Sequence, residues 1–326
     1  MHLDSFELHR PSTLEQAVEL AQQWAGAFDF LAGGTDLLPN YKMHLNLRPH
    51  LIALDRVPEL GGVSWERFGA MATLRSLERL SDLPRIYPGI ADAVTAVATP
   101  LVRASATVGG NLLVETRCFF FNQSLFWRQS LGYCLKADGD RCHVVPQHER
   151  CYATFSGDLA PALLVLDAEV EIRGASGARR IPLSRLYDPS GDGIRRHTLA
   201  PGEILVAVHL PESARRLSAS YLKLRIRPSF DFPELGISVA ARWEGERIES
   251  LRIASGGLET YPRCFDELTE PLVGTRWSEP RIRELASQIA AAVRPVRNTS
   301  LAPDYRKRMA GVYVRRAIER MRHRSA

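Results

Sequence analysis

FDFLAGGTDLLPNYK, residues 28–42, reads as a short apolar strand at 28–31, a paired-glycine loop, and a helix that opens near Asp36. A strand that feeds a helix through such a loop is the repeating unit of an α/β layer, because the helix can pack back on the sheet it leaves. Before this stretch, residues 13–24 carry an amphipathic helical pattern with Thr13 as its candidate cap. After it, 51–54 reads as the next strand, and the alternation continues to about residue 174, with helices at 90–98 and 159–166 and a strand at 170–172. From residue 204 the pattern changes. Segments 204–210, 219–226, 236–243 and 248–254 alternate like half-buried antiparallel strands. Helical patterns follow at 263–273, at 279–293 and in the tail. The expected fold is therefore α+β. Two α/β subdomains fill residues 1–176, and a smaller C-terminal domain of antiparallel sheet and helices fills 177–326. The polar stretch 174–180 is the expected boundary.

Composition narrows the function classes. The chain of 326 residues is 45% apolar and 24% charged, the balance of a globular protein able to bury more than one core. Apolar runs fall far short of the roughly 20 residues needed to cross a bilayer. The opening MHLDSFELHR lacks a basic start followed by an apolar stretch, so a cytoplasmic protein without a membrane partner is expected. The net charge of +5 is concentrated in residues 301–326, where eight Lys and Arg face two acids on a helical pattern. This reads as a packed helix with a solvated basic face. Without an aromatic groove or a recognition motif, a nucleic-acid partner is not expected.

No G-x-G-x-x-G or G-x-x-x-x-G-K-[ST] motif is present. Two other loops stand out: Ala32, Gly33, Gly34, Thr35, Asp36 and Leu37, and Thr107, Val108, Gly109, Gly110 and Asn111. Paired glycines let successive N–H groups face one concavity and let a phosphate approach closely. Two such loops suit the two sides of a diphosphate, although Gly-Gly before a helix is also an ordinary turn.

Four of the five cysteines, Cys118, Cys134, Cys142 and Cys151, fall within 34 residues as C-x15-C-x7-C-x8-C. An odd cysteine count in a chain without an export signal points to metal or redox use rather than disulfides. The spacing is neither a zinc ribbon nor a ferredoxin run. Spacing alone leaves an iron–sulfur cluster, a zinc site that also uses His143 or His148, and free thiols all open. Phe119, Phe120, Phe121, Phe126, Trp127 and Tyr133 are expected to shield the group, and Lys136, Arg141 and Arg150 to offset its charge. Cys264 lies apart and reads as a small buried hydrophobe.

AGGTDLLPNYK at 32–42, ATVGGNL at 106–112, SGDLAPALLVLDAEVEI at 156–172, DFPELGISVAAR at 231–242 and RIASGGLETYPRCFDELTEPLVG at 252–274 together resemble the FAD-binding medium subunits of the xanthine dehydrogenase (molybdenum hydroxylase) family. The resemblance implies that the two glycine loops hold FAD, and that Asp158 and Lys223 lie near the flavin. The insert at about 115–155 is similar to that in the beta subunits of 4-hydroxybenzoyl-CoA reductases, a branch of the same family. By that resemblance the four cysteines bind a [4Fe–4S] cluster. The implied role is electron transfer in the reductive dehydroxylation of 4-hydroxybenzoyl-CoA, with the chemistry on other chains, so no catalytic residue is expected here. The implied partners are a molybdenum-cofactor large subunit and a [2Fe–2S] small subunit, in a doubled heterotrimer, and a ferredoxin-like donor. Two alternatives stand beside this reading: a flavin subunit that passes electrons outward, and a zinc-stabilised binding or assembly protein.

Overall fold

A computed structural model describes residues 3–325 and arranges them around three sheets. Strands β1 (Glu7–His9), β2 (Phe28–Leu31) and β3 (His50–Ala53) form a parallel sheet in the order β1-β3-β2. The helix Leu14–Gln23 connects β1 to β2. Thr13 caps it by accepting the N–H of Gln16, and it buries Leu14, Ala17, Val18 and Ala21 beside Ile52 and Leu54.

The second sheet holds β4 (Arg67–Gly69), β5 (Glu169–Gly174), β6 (Gly177–Pro182) and β7 (Ile204–His209), antiparallel in the order β4-β7-β5-β6. The long excursion between β4 and β5 carries short helices, among them Pro88–Ala96, Val108–Leu112 and Leu159–Leu164, and the cysteine insert. The third sheet holds β8 (Ser218–Leu224), β9 (Leu235–Glu244), β10 (Arg247–Gly256) and β11 (Arg263–Cys264), antiparallel in the order β11-β10-β9-β8. The helices Glu279–Ala292 and Pro303–Ser325 pack on it through Ile282, Leu285, Ile289, Val314 and Ile318.

Three expectations need correction. The stretch 174–180 does not part the domains: Gly174 pairs with Gly177, so it closes the β5–β6 hairpin. Strand β7 is not half-buried and does not join the C-terminal sheet. Residues 204–208 are all buried, with Ile204 and Val206 in the core of the first subdomain and Leu205 and Val208 in that of the second. The helix expected at 263–273 is broken into β11, one turn at Asp266–Thr269 and a 3-10 turn at Glu270–Leu272. Arg263 and Cys264 are drawn into register with Ser255 and Ala254, and Pro271 cannot donate to a helical ladder.

The basic tail helix is partly tied inward. Arg320 and Arg324 both reach the carboxylate of Asp92, at 2.6 and 2.7 Å. No helix among the described residues is long and apolar enough to cross a membrane.

Candidate functional site

The first glycine loop leaves the C-terminal end of β2. Among the described residues, the N–H groups of Gly33, Gly34, Thr35, Asp36 and Leu37 meet no protein acceptor. Gly34 adopts φ +69°, a conformation that costs other residues energy. Gly33 has no room for a side chain, since a Cβ would lie 1.8 Å from the Ser105 carbonyl oxygen. A run of five free amides beside a glycine-only approach is the donor set a diphosphate needs, so this loop fits the group.

The second loop does not present its amides. Those of Val108 and Gly109 donate to the carbonyls of Ala72 (2.9 Å) and Ala70 (2.8 Å). Gly110 N–H donates to Thr107 Oγ1 at 3.0 Å, and Asn111 N–H to the Thr107 carbonyl at 2.9 Å. None of these four amides is free for the expected grip: two fasten the segment to the turn after β4 and two close on Thr107. What the loop offers instead is the exposed glycine face of Gly110, where a Cβ would lie 4.0 Å from that of Ala32. The two loops thus stand side by side.

Asp158 and Lys223 come together, but on each other. Asp158 Oδ2 accepts from Lys223 Nζ at 2.9 Å and Oδ1 from the Tyr221 hydroxyl at 2.6 Å; Lys223 also donates to the Ala96 carbonyl. Both side chains are at most 4% exposed, so this pair ties β8 to the flavin region and does not present open head groups. Burial pushes the Asp158 carboxyl up, with Lys223 and Tyr221 pulling it back. Asp158 makes no capping hydrogen bond to the helix that follows it; Asn111 Oδ1 accepts the Leu159 N–H at 2.9 Å instead.

Cys118, Cys134, Cys142 and Cys151 are all buried and free, and they line one small cavity with Phe120, Phe121, Lys136 and His143. Among the described residues, no three of these sulfur and imidazole ligand atoms lie within 4.8 Å of one another. Four thiols lining one cavity are a donor set that either a tetrahedral zinc or an iron–sulfur cluster can use. Backbone amides face the sulfurs: Phe120 on Cys118, Lys136 and Ala137 on Cys134, and Ala153 on Cys151 at 3.3 Å. Such N–H···S contacts tune an iron–sulfur centre. Burial raises the Cys118 thiol to about 12 and that of Cys151 to about 11. Gly139 lets its loop close on Cys134, since a Cβ there would sit 2.6 Å from the Cys134 nitrogen.

The expected surroundings are only partly realised. Of the six aromatics, Phe120 and Phe121 line the cavity, while Phe119 and Phe126 are exposed. Of the three cations only Lys136 reaches it, and its ammonium is bonded to Glu115 at 2.6 Å. Burial pushes Glu115 up, but Lys136 and Arg196 outweigh it and hold the carboxyl at about 2. Arg141 and Arg150 are exposed, the latter bonded to the Ser190 carbonyl. His148 is exposed against Tyr152, and His143 Nε2 is engaged by the Tyr133 carbonyl. Cys264 is partly buried at the edge of the second core, with its thiol raised to about 12 by burial.

Sequence reasoning missed the residue that joins the two sites. Arg117, next to Cys118, donates to Asp36 Oδ1 at 2.9 Å and covers the ring of Phe232 at 3.9 Å. The helix Leu37–Lys42 leads from the first glycine loop to Met43 and Leu45, which pack on the cysteines. Its six residues rise about 9 Å.

The family described as the FAD binding domain in molybdopterin dehydrogenase matches residues 4–213, and the CO dehydrogenase flavoprotein C-terminal domain matches residues 219–321. The chain therefore belongs to the family of FAD-binding subunits of molybdenum hydroxylase-type oxidoreductases. Within it, the chain is 35% identical over 274 residues to the aldehyde oxidoreductase FAD-binding subunit of Escherichia coli K12, covering 80% of this chain and 83% of that one. It is 26% identical to the carbon monoxide dehydrogenase medium chain of Afipia carboxidovorans, with 98% of each chain covered. The reconstituted CO dehydrogenase from Oligotropha carboxidovorans has the same fold, with a TM-score of 0.79, 25% identity, and 99% and 100% of the two chains covered.

Proposed function

We propose that this chain binds one FAD noncovalently and one [4Fe–4S] cluster on Cys118, Cys134, Cys142 and Cys151, and that it conducts electrons between them. It would do so in a complex with a molybdenum-cofactor large subunit and a [2Fe–2S] small subunit, doubled by symmetry. The observation that carries the cluster is the set of four buried thiols lining one cavity. FAD supplies a carrier for paired electrons and the cluster a one-electron relay. The chain's own residues bind, shield and align. The amides of Gly33 to Leu37 receive the diphosphate, Gly110 gives it clearance, and Phe120 and Phe121 keep water from the sulfurs. Arg117 couples the loop carrying Asp36 to the backbone of Cys118.

The insert's similarity to 4-hydroxybenzoyl-CoA reductases favours reductive dehydroxylation of an aromatic CoA thioester, with electrons entering from a ferredoxin-like donor. The 35% identity to an aldehyde oxidoreductase subunit favours a second reading, with the same cofactors and electrons leaving toward an acceptor. Assays of the purified complex separate the two: thioester dehydroxylation with a low-potential reductant supports the first, and aldehyde oxidation with an acceptor the second.

Anaerobically prepared chain is expected to contain about four iron and four sulfide beside one FAD. Cys142→Ala should lose or degrade the cluster, whereas Cys264→Ala, His143→Ala and His148→Ala should keep it. Zinc in place of iron would overturn the cluster and leave a zinc-stabilised binding protein as the better reading.

A further inference from the structure

The first sheet carries a second group of ligand-type side chains, at its opposite end from the glycine loop. We propose that Glu7, His9 and His50 bind a divalent transition ion of the zinc class. The register of β1 on β3 pairs Glu7 with His50 and His9 with Ile52. Alternate residues of a strand share a face, so Glu7 and His9 project together, and His50 projects beside Glu7. His9 Nε2 and His50 Nδ1 meet head to head at 3.1 Å. The carboxylate oxygens of Glu7 lie 3.8 Å from the first nitrogen and 3.5 Å from the second. A tetrahedral zinc with bonds of roughly 2.0–2.1 Å to nitrogen and oxygen requires edges of about 3.3–3.4 Å, close to the N···N separation and to the approach of Glu7 Oε1 to His9 and of Oε2 to His50.

The rings are held in place by packing. Trp24, at the C-terminal end of the helix Leu14–Gln23, stacks on His50 with ring centres 3.7 Å apart and 23° between planes, and on His9 at 5.7 Å and 29°. Both histidine side chains are 13% exposed and Glu7 is 63% exposed, so one side is open for a solvent ligand. Three protein ligands with a solvent-facing fourth position is a common zinc arrangement, and two imidazoles with one carboxylate select zinc-like ions over calcium or magnesium. Without an ion, two opposed imidazole nitrogens share a single N–H···N bond; an ion engages all three groups. Glu7 and His50 begin their strands, whereas the glycine loop follows the end of β2. The ion therefore lies off the path between the two cofactor sites and clips the edge strand β1 to β3.

The test uses full chain already loaded with FAD and iron, so that the cysteines are filled, then freed of loosely held metal and titrated with zinc chloride in a calorimeter. One zinc per chain is expected, with a rise in melting temperature. His9→Gln and His50→Gln should each weaken zinc binding by more than the roughly 100-fold that loss of an outer-shell partner costs, and Glu7→Gln should weaken it less than either. Glu7→Gln changes only an exposed side chain, so unchanged FAD content identifies it as folded. Failure of the loaded wild-type chain to bind micromolar zinc would overturn the proposal, and so would wild-type affinity in both histidine variants. Neither result bears on the cysteine cluster, which iron and sulfide analysis reads separately.

Discussion

Gly33-Gly34 precedes the helix Leu37–Lys42 and Gly109-Gly110 lies within the helix Val108–Leu112, yet the same sequence reasoning assigns both pairs to a diphosphate. In the fold, the amides from Gly33 to Leu37 are free, while those from Val108 to Asn111 are bonded to Ala70, Ala72 and Thr107. The first loop is a donor surface and the second is a strut with one bare glycine face. The difference teaches that paired glycines mark close approach, and that only the partner of each N–H says whether a ligand or the protein's own backbone makes that approach.

The contrast can be broken most directly by hydrogen exchange. Without FAD, the amides of Gly33 to Leu37 should exchange rapidly and those of Val108 to Asn111 slowly. FAD at 100 times its Kd stabilises the bound state by about 2.7 kcal/mol, so the first set should slow about 100-fold. Protection of residues 33–37 before FAD is added would contradict the free-amide geometry. A smaller effect is expected from Gly109→Val, whose Cβ would press 2.9 Å from that of Ala70. Overpacking of this kind costs about 1–3 kcal/mol, visible as a lower melting temperature. The variant that remains folded should still bind FAD; folded but flavin-free protein would return the second loop's amides to the phosphate. Smallest is Thr107→Ala, which removes the acceptor for Gly110 N–H and should cost about 1 kcal/mol with FAD content unchanged.

Local pattern was enough for elements whose partners are near in sequence. The strand Phe28–Leu31 and the helix Leu14–Gln23 announce themselves by apolar spacing and by the Thr13 cap. The cysteine spacing likewise singled out four side chains that the fold buries around one cavity. What stayed hidden depends on distant partners. Ala70 and Ala72 take the amides of the second loop from nearly forty residues away, and Lys223 finds Asp158 from 65 residues away. A polar stretch such as 174–180 reads alike as linker or hairpin turn, because both are solvated; only the pairing of β5 with β6 decides. Arg117 looked like any charged residue until the fold set it against Asp36. The cluster of Glu7, His9 and His50 escaped notice because His50 lies 41 residues from its imidazole partner.

Strand β7 has a consequence for the order in which the molecule can form. Ile204 and Val206 complete the core that Leu14, Val18 and Ile52 begin. While a ribosome is still making the chain, the amino-terminal subdomain emerges early, but from Leu60 to Ile204 another 144 residues must follow before its last wall arrives. Its parallel sheet must persist as a half-open layer through that interval, and pairing across so long a separation is slow. The same strand then supplies the missing wall of both subdomain cores at once, which couples the completion of one to that of the other.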